Sequence, residues 1–209
     1  MPHEDNPLGR NPFVLEMNSP REKTMADQRM PHIMIEKISL ERVRDFHAAI
    51  LESSQEWFAA GMLPKADLSL EEFEQVTSEF LEAWEDDSAY FFYALDASVN
   101  QVVGSVFLNH VSRQYQMANL GYLVRTSRMG EGIATAAAKL VARYGFETLG
   151  LHRIEIVVSQ ENAASLKVAA KLGAVREGLL RNRLYLHGSP CDAYMHSLIP
   201  ADVGIQKTA

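Results

Sequence analysis

The sequence predicts a single α+β domain, and three observations carry that expectation. From Ile33 onward, strand-like apolar runs alternate with stretches whose apolar residues fall on one helical face. Capping residues sit where those helical stretches should begin or end: Ser69, Asn162, Gly150 and Gly173. No internal repeat or linker divides residues 32–199, and one core can serve a chain of 209 residues with 47% hydrophobic and 22% charged content.

Residues 1–31 are expected to form an N-terminal tail, partly disordered. They hold prolines and polar residues with no sustained period, apart from the apolar run Pro12-Phe13-Val14-Leu15. Ile33–Ile38 then reads as a strand, and Ser39 is placed to cap a helix running to about Glu52. Ser69 and Glu72 have the capping-box spacing, and behind them Phe73, Val76, Phe80 and Trp84 share one face, read as core or as the wall of an acceptor cleft. Tyr90–Leu95 and Val102–Leu108 read as two strands of a hairpin, joined by turn residues 96–100. Leu120–Val124 is a further strand. It leads to a helix with Ile133, Ala137, Leu140, Val141 and Tyr144 on one stripe, stopped near Gly150. Arg153–Val158 is a β-branched strand, and Asn162 caps a short helix that ends at Gly173. Leu179–Leu186 and Asp192–Ile199 read as two last strands across His187-Gly188-Ser189-Pro190, and residues 200–209 as a C-terminal tail.

Composition excludes several classes of function. The single cysteine, Cys191, permits neither an internal disulfide framework nor a multi-cysteine metal site, and fits a reducing compartment. The seven histidines lack ligand spacing, so no metal is expected. A formal charge of −7 argues against broad nucleic-acid binding. No apolar run approaches the roughly 18–20 residues that cross a bilayer, and the N-terminus lacks the pattern of a signal peptide, so no membrane partner and a cytoplasmic location are expected.

The stretch with most chemistry in it is Arg128-Met129-Gly130-Glu131-Gly132-Ile133-Ala134. It places two glycines at the mouth of a helix, where Ser, Thr, Asp or Asn is the ordinary cap. A helix N-terminus offers unpaired N–H groups and about half a positive charge, and glycines let a bulky anion approach without meeting side chains. Several hydrogen bonds to charged oxygens, each about 1.5–3 kcal/mol, would supply most of the affinity. Position 135 is Thr, so there is no dinucleotide fingerprint, and Gly-Ile-Ala stands where a Walker A loop needs Gly-Lys-Ser/Thr.

Four ordered segments surround that mouth: Gly-Glu-Gly-Ile-Ala-Thr at 130–135, Phe146 through Glu155 with His152-Arg153-Ile154-Glu155, Glu161-Asn162-Ala163-Ala164-Ser165, and Lys171 through Gly178. This succession resembles the GNAT acetyltransferase superfamily, and within it the RimJ/RimL-like branch. The resemblance is strongest over 121–198 and compatible over 33–108. It implies the GNAT fold, a central mixed sheet splayed into a V, with acetyl-CoA as co-substrate between the strand ending at Val124 and the one ending at Ser159. In the family a Gln/Arg-x-x-Gly-x-Gly/Ala segment binds the pyrophosphate, and Met129, Gly130, Glu131, Gly132, Ile133 and Ala134 align with it. Met129 replaces the polar first residue, a role Arg128 is placed to take over. Glu131 stands where a basic or neutral residue is common, and its side chain is expected to point into solvent.

The implied reaction is direct attack of a primary amine on the thioester carbonyl in a ternary complex. Backbone N–H groups at Leu123 and Val124 are the expected oxyanion site. Ser165 matches the serine of the branch's Asn-x-x-Ser motif and is the candidate acid toward the CoA sulfur. Asn162 is the candidate contact to the pantetheine arm and is also a helix cap. The glutamate that precedes an aromatic residue in some members is Leu184 here, before Tyr185, which leaves Glu161, His110, Tyr185, Asn119 or water as the base. The favoured acceptor is a protein or peptide N-terminal α-amine. The alternatives are a polyamine, another small amine such as an antibiotic, or a non-catalytic acyl-CoA-binding module. A homodimer is allowed but not required.

Overall fold

The structure, a computed structural model, describes residues 14–16, 32–59, 65 and 67–206. In chain order the elements are β1 (Val14–Glu16), β2 (Ile33–Lys37), α1 (Val43–Ala59), α2 (Leu70–Glu85), β3 (Tyr90–Asp96), β4 (Gln101–Ser112), β5 (Met117–Val124), α3 (Ile133–Glu147), β6 (Arg153–Ser159), α4 (Ala163–Leu172), β7 (Val175–Leu186) and β8 (Ser189–Leu198), with 3-10 turns at Leu40–Arg42, Thr126–Arg128 and Pro200–Val203.

One sheet collects the strands in the order β1-β2-β3-β4-β5-β6-β8-β7. Every neighbouring pair is antiparallel except β5 and β6. That parallel seam holds only over Met117–Asn119 against Arg153–Glu155. Beyond it β5 continues on β4 as far as Val124, while β6 continues on β8 as far as Ser159. The two strands therefore part company, and the sheet opens into the predicted V.

Each face of the sheet has its own core. On one side α1 and α2 bring Phe46, Ile50, Trp57 and Phe73 against Tyr93, Leu95 and Val102. On the other, α3 and α4 pack Ile133, Val141 and Leu172 against Val106, Leu108, Ile154 and Ile156. Helix α3 buries Ile133, Ala137, Leu140 and Val141 of the stripe read from its period and leaves Tyr144 half-buried, and Gly145 lets it sit close, since a Cβ there would stand 3.0 Å from Ile154 Cδ1. The α2 stripe divides between the two cores. Phe73 meets Phe46, Phe80 stacks on Phe91 with centroids 3.8 Å apart, and Trp84 packs edge-on against Tyr90 and Phe92.

The local signals hold where a side chain makes a specific bond. Ser69 and Glu72 form both halves of the capping box, and Asn162 caps α4. Ser39 makes no side-chain cap; a 3-10 turn intervenes and α1 runs on to Ala59. The chain ends also differ from expectation. Residues 1–13 and 17–31 lie outside the described residues, but Val14–Glu16 pairs with β2 as an edge strand. Residues 200–206 are not a tail: they turn back through Pro200–Val203, and Val203 and Ile205 pack against the α3-side core. The β7–β8 connection is tighter than predicted, because His187 and Gly188 both take positive φ and close a two-residue turn.

Candidate functional site

The site lies where the sheet parts. Along β5, backbone groups point alternately to the two sides of the strand. Arg125 N donates to Val103 O at 2.9 Å, and the pairing Val124↔Gly104 carries the same register back along the ladder. The amide of Leu123 is thus spent on β4, and the amide of Val124 faces the gap toward β6. Of the two expected oxyanion donors, only Val124 is free to serve. Its carbonyl accepts from Trp57 Nε1 at 3.1 Å.

Trp57 belongs to a brace that the sequence did not reveal. Helix α1 grips the loop after β5 through three side chains. Ser53 Oγ accepts from Thr126 N at 2.9 Å, and Glu52 accepts from Ser127 N at 3.0 Å and from Arg125 Nε at 2.9 Å. The bonds from Ser127 hold the Glu52 carboxyl below its usual range. This brace fixes the approach to the glycine mouth.

At the mouth itself Gly130 and Gly132 have φ of 85° and 84°, left-handed values that cost a side-chain-bearing residue strain. Gly132 is the N-cap of α3 and gives it no side-chain cap. The first helical bond is Ala136 N to Gly132 O. The amides of Gly130, Glu131, Gly132, Ile133, Ala134 and Thr135 have no acceptor among the described residues. Alternating left-handed glycines with free N–H groups form an anion-binding concavity. Met129 spends its own amide on Thr126 O and leaves its side chain half exposed.

Two expectations at the mouth need correction. Glu131 does not simply reach into solvent: Arg128 Nε lies 2.9 Å from both of its carboxylate oxygens. Arg128 is likewise not free to stand in for the missing polar residue, since its Nη2 also donates to Asp96 Oδ2 at 2.8 Å. The bonds to Glu131 and then Asp96 raise the guanidinium pKa. Asp96 in turn takes bonds from Ser98 N and Oγ, which with Arg128 outweigh burial and keep it ionised. The carboxylate that should repel an anion is therefore neutralised by its neighbour. Such partly exposed pairs are worth about 0–1 kcal/mol, less than any one charge-assisted bond from the backbone.

Across the gap, the side chain of Asn162 accepts from Ser165 N at 2.9 Å, fixing the first turn of α4. Tyr122, from β5, reaches over and places its Oη 2.8 Å from Ser165 Oγ and 3.2 Å from Ser165 O. Burial pushes the phenol up to about 12, against a smaller opposing effect of the Ser165 bond. A second crossing joins Phe58 at the end of α1 to His187 in the β7–β8 turn, with ring centroids 5.3 Å apart.

The four candidates for a base stand apart from this pair. Glu161 is exposed, its amide turned back on Ser159. His110 sits exposed at the β4 irregularity, and Tyr185 is 72% exposed. Asn119 lies on the last rung of the β5–β6 seam, donates to Asn109 Oδ1 at 2.8 Å, and keeps its own carbonyl oxygen buried without a donor. None of the four is hydrogen-bonded to Ser165 or to the mouth of α3. Among the described residues no His/Cys/Asp/Glu group is disposed to hold a metal, and no helix is long and apolar enough to cross a membrane.

The acetyltransferase (GNAT) domain model matches residues 32–175, which is most of the folded chain. The chain belongs to the GNAT family. It is 37% identical over 112 residues to YjcK of Bacillus subtilis strain 168, named a probable N-acetyltransferase, covering 53% of this chain and 62% of that protein. It is 33% identical over 98 residues to the spermidine N(1)-acetyltransferase of Escherichia coli K12, covering 47% and 51%. The chain thus spans only a half to three fifths of the length of these relatives. Among solved structures, RimJ of Mycobacterium smegmatis in complex with CoA-disulfide superposes with a TM-score of 0.76 at 24% identity, over 84% of this GNAT chain and 87% of that one.

Proposed function

We propose that this GNAT protein is an acetyl-CoA-dependent N-acetyltransferase that acts on a primary amine. The observation that carries the proposal is the bare mouth of α3, open beside a gap into which Val124 turns its amide. Acetyl-CoA fits these residues. The amides from Gly130 to Ala134 would hold the pyrophosphate, and the parted edges of β5 and β6 would take the pantetheine arm. When bound, the co-substrate supplies an activated acetyl group.

The protein's own residues then have distinct tasks. The Val124 amide meets the charge that develops on the carbonyl oxygen. Ser165, held by Asn162, offers a hydroxyl hydrogen toward the leaving sulfur. No candidate base stands at the pair, so the amine's proton passes to water. That favours an acceptor already partly neutral near pH 7. An α-amino group, with a pKa of about 8, meets the requirement far better than a lysine-like amine near 10.4. The preferred acceptor is therefore a protein or peptide N-terminus. The similarity to a spermidine acetyltransferase and the exposed Glu71 in the first turn of α2 support a polyamine as the second reading.

Calorimetric titration with acetyl-CoA, followed by thiol release on an alanine-initiated peptide and on spermidine, tests the proposal. A dissociation constant on the order of micromolar with turnover of the peptide is expected. Absence of binding removes the acetyltransferase reading, and binding without turnover of any amine turns the protein into an acyl-CoA-binding module.

A further inference from the structure

Tyr122 carries no signal in the sequence beyond its place in a strand, yet among the described residues it is the side chain that spans the gap to Ser165. Its geometry is ambiguous in an informative way. The phenol has one proton and two acceptors within reach, Ser165 Oγ at 2.8 Å and Ser165 O at 3.2 Å. The serine hydroxyl also has one proton. The contact between the two oxygens allows two arrangements. In the first, Tyr122 donates to the Ser165 carbonyl and the serine donates to the phenol oxygen, so the serine hydrogen is occupied. In the second, Tyr122 donates to Ser165 Oγ, and the serine hydrogen is released to point into the gap.

We propose that Tyr122 and Ser165 form a two-state hydrogen-bond switch that presents the serine hydrogen to an anionic sulfur in the gap, with Tyr122 as the positioning residue. The inference rests on the acetyltransferase reading and deepens it. The frame of the switch is rigid: Asn162 caps the Ser165 amide, and β5 holds Tyr122 opposite Val106. Changing state therefore needs two hydroxyl rotations and no backbone movement. Burial keeps the phenol protonated, and no charged side chain contributes to its shift, so Tyr122 remains a donor across the working pH range. A neutral bond to a carbonyl is exchanged for a charge-assisted bond to sulfur, roughly twice as strong.

The switch moves no net proton. A phenol pushed up to about 12, and a still weaker aliphatic hydroxyl, do not give up a proton to a thiolate, the conjugate base of a stronger acid than either. Both hydroxyls keep their hydrogens. The proton that finally rests on sulfur is the one the amine loses, carried by solvent. Ser165 thus stabilises the leaving group as a hydrogen-bond donor and is not an acid in the full sense.

The test is the titration of the thiol of free CoA bound to the full chain, followed by thiolate absorbance against desulfo-CoA as blank. Wild type, Tyr122→Phe, Ser165→Ala and the double variant are compared. The switch predicts a bound thiol pKa about one unit lower in wild type than in either single variant, a tenfold difference in thiolate fraction, with the double variant equal to the singles. A Tyr122→Phe thiol that titrates as wild type, or two single effects that add, overturns it. Ser165→Ala leaves the Tyr122 packing intact, and an unshifted thiol in that variant overturns the switch even if Tyr122→Phe is too unstable to titrate. Calorimetry on the same samples separates the two levels. Wild-type protein that fails to bind CoA brings down the acetyltransferase reading and the switch together; binding with an unshifted thiol brings down the switch alone. Turnover adds a second readout: Tyr122→Phe lowers kcat about tenfold and leaves the KM for acetyl-CoA unchanged.

Discussion

Two helices open onto the same gap, and their first turns are built in opposite ways. Helix α4 begins at Asn162, whose side chain satisfies the Ser165 amide, and Tyr122 occupies the hydroxyl of that serine. Helix α3 begins at a left-handed glycine with no side-chain cap and a row of amides lacking acceptors among the described residues. A protein selected only for stability would cap both, since a good N-cap is worth about 1 kcal/mol. Leaving one start bare while perfecting the other assigns them different tasks. On the function proposed above, the bare start would receive an anion from outside, and the capped start would hold one hydroxyl still.

The contrast can be broken by making the α3 start resemble the α4 start. Gly132→Asp puts a resident carboxylate at that start, and Asp tolerates left-handed backbone better than most residues. Thermal stability is expected to survive while acetyl-CoA affinity falls about 100-fold or more in calorimetry, the loss of one or two charge-assisted bonds. Unchanged affinity would show that the mouth is not the anion site. The reverse change, Asn162→Ala, strips the α4 cap. It should cost about 1 kcal/mol and lower Tm by about 2–4 °C, with Asn162→Ser restoring the melting point. If the restored variant still binds acetyl-CoA more weakly, Asn162 also touches the pantetheine arm.

A gentler change sharpens the electrostatics of the bare mouth. Glu131→Lys releases Arg128 from one of its two carboxylates and adds a cation, so acetyl-CoA should bind about two- to fivefold tighter at low salt, the gain shrinking as salt screens it. The smallest effect is expected far from both helix starts. Arg153 and then Ser197 hold the Glu177 carboxyl down to about 2 from 4.5. A depressed folded pKa contributes stability that is complete above 4.5 and disappears as pH falls toward 2. Glu177→Gln should therefore flatten the acid limb of Tm against pH over that window. Because the side chain is 40% exposed, the loss at neutral pH should stay below about 1 kcal/mol. Acetyl-CoA affinity should not move.

What the sequence displayed and what it hid follow from the range of the interactions. Caps, stripes and the glycine mouth are local, so Ser69, Asn162, Gly132 and Gly173 could be read directly, and the motif order led to the family. The three-residue strand Val14–Glu16 is too short to show a period. The start of β7 at Val175 was missed because Val-Arg-Glu-Gly is exposed, polar and bulged there. The site residues that escaped are those brought together from afar. Tyr122 meets Ser165 across 43 positions, and Trp57 meets Val124 across 67. Arg128 and Glu131 were visible three residues apart, but Asp96, which completes their network, is 32 positions away from Arg128.

The shortness of the parallel seam bears on the order in which this molecule assembles. Strands β3, β4 and β5 are joined by tight turns, as are β7 and β8, so each group gains its pairings from near neighbours in the chain. Rungs Met117–Asn119 against Arg153–Glu155 must wait for the whole α3 crossover to close, for the return of only three rungs. Loop closure of that kind is slow and weakly rewarded. Amide exchange should accordingly find the seam opening ahead of the hairpins, and partial unfolding should abolish the cleft while most of the strands remain paired.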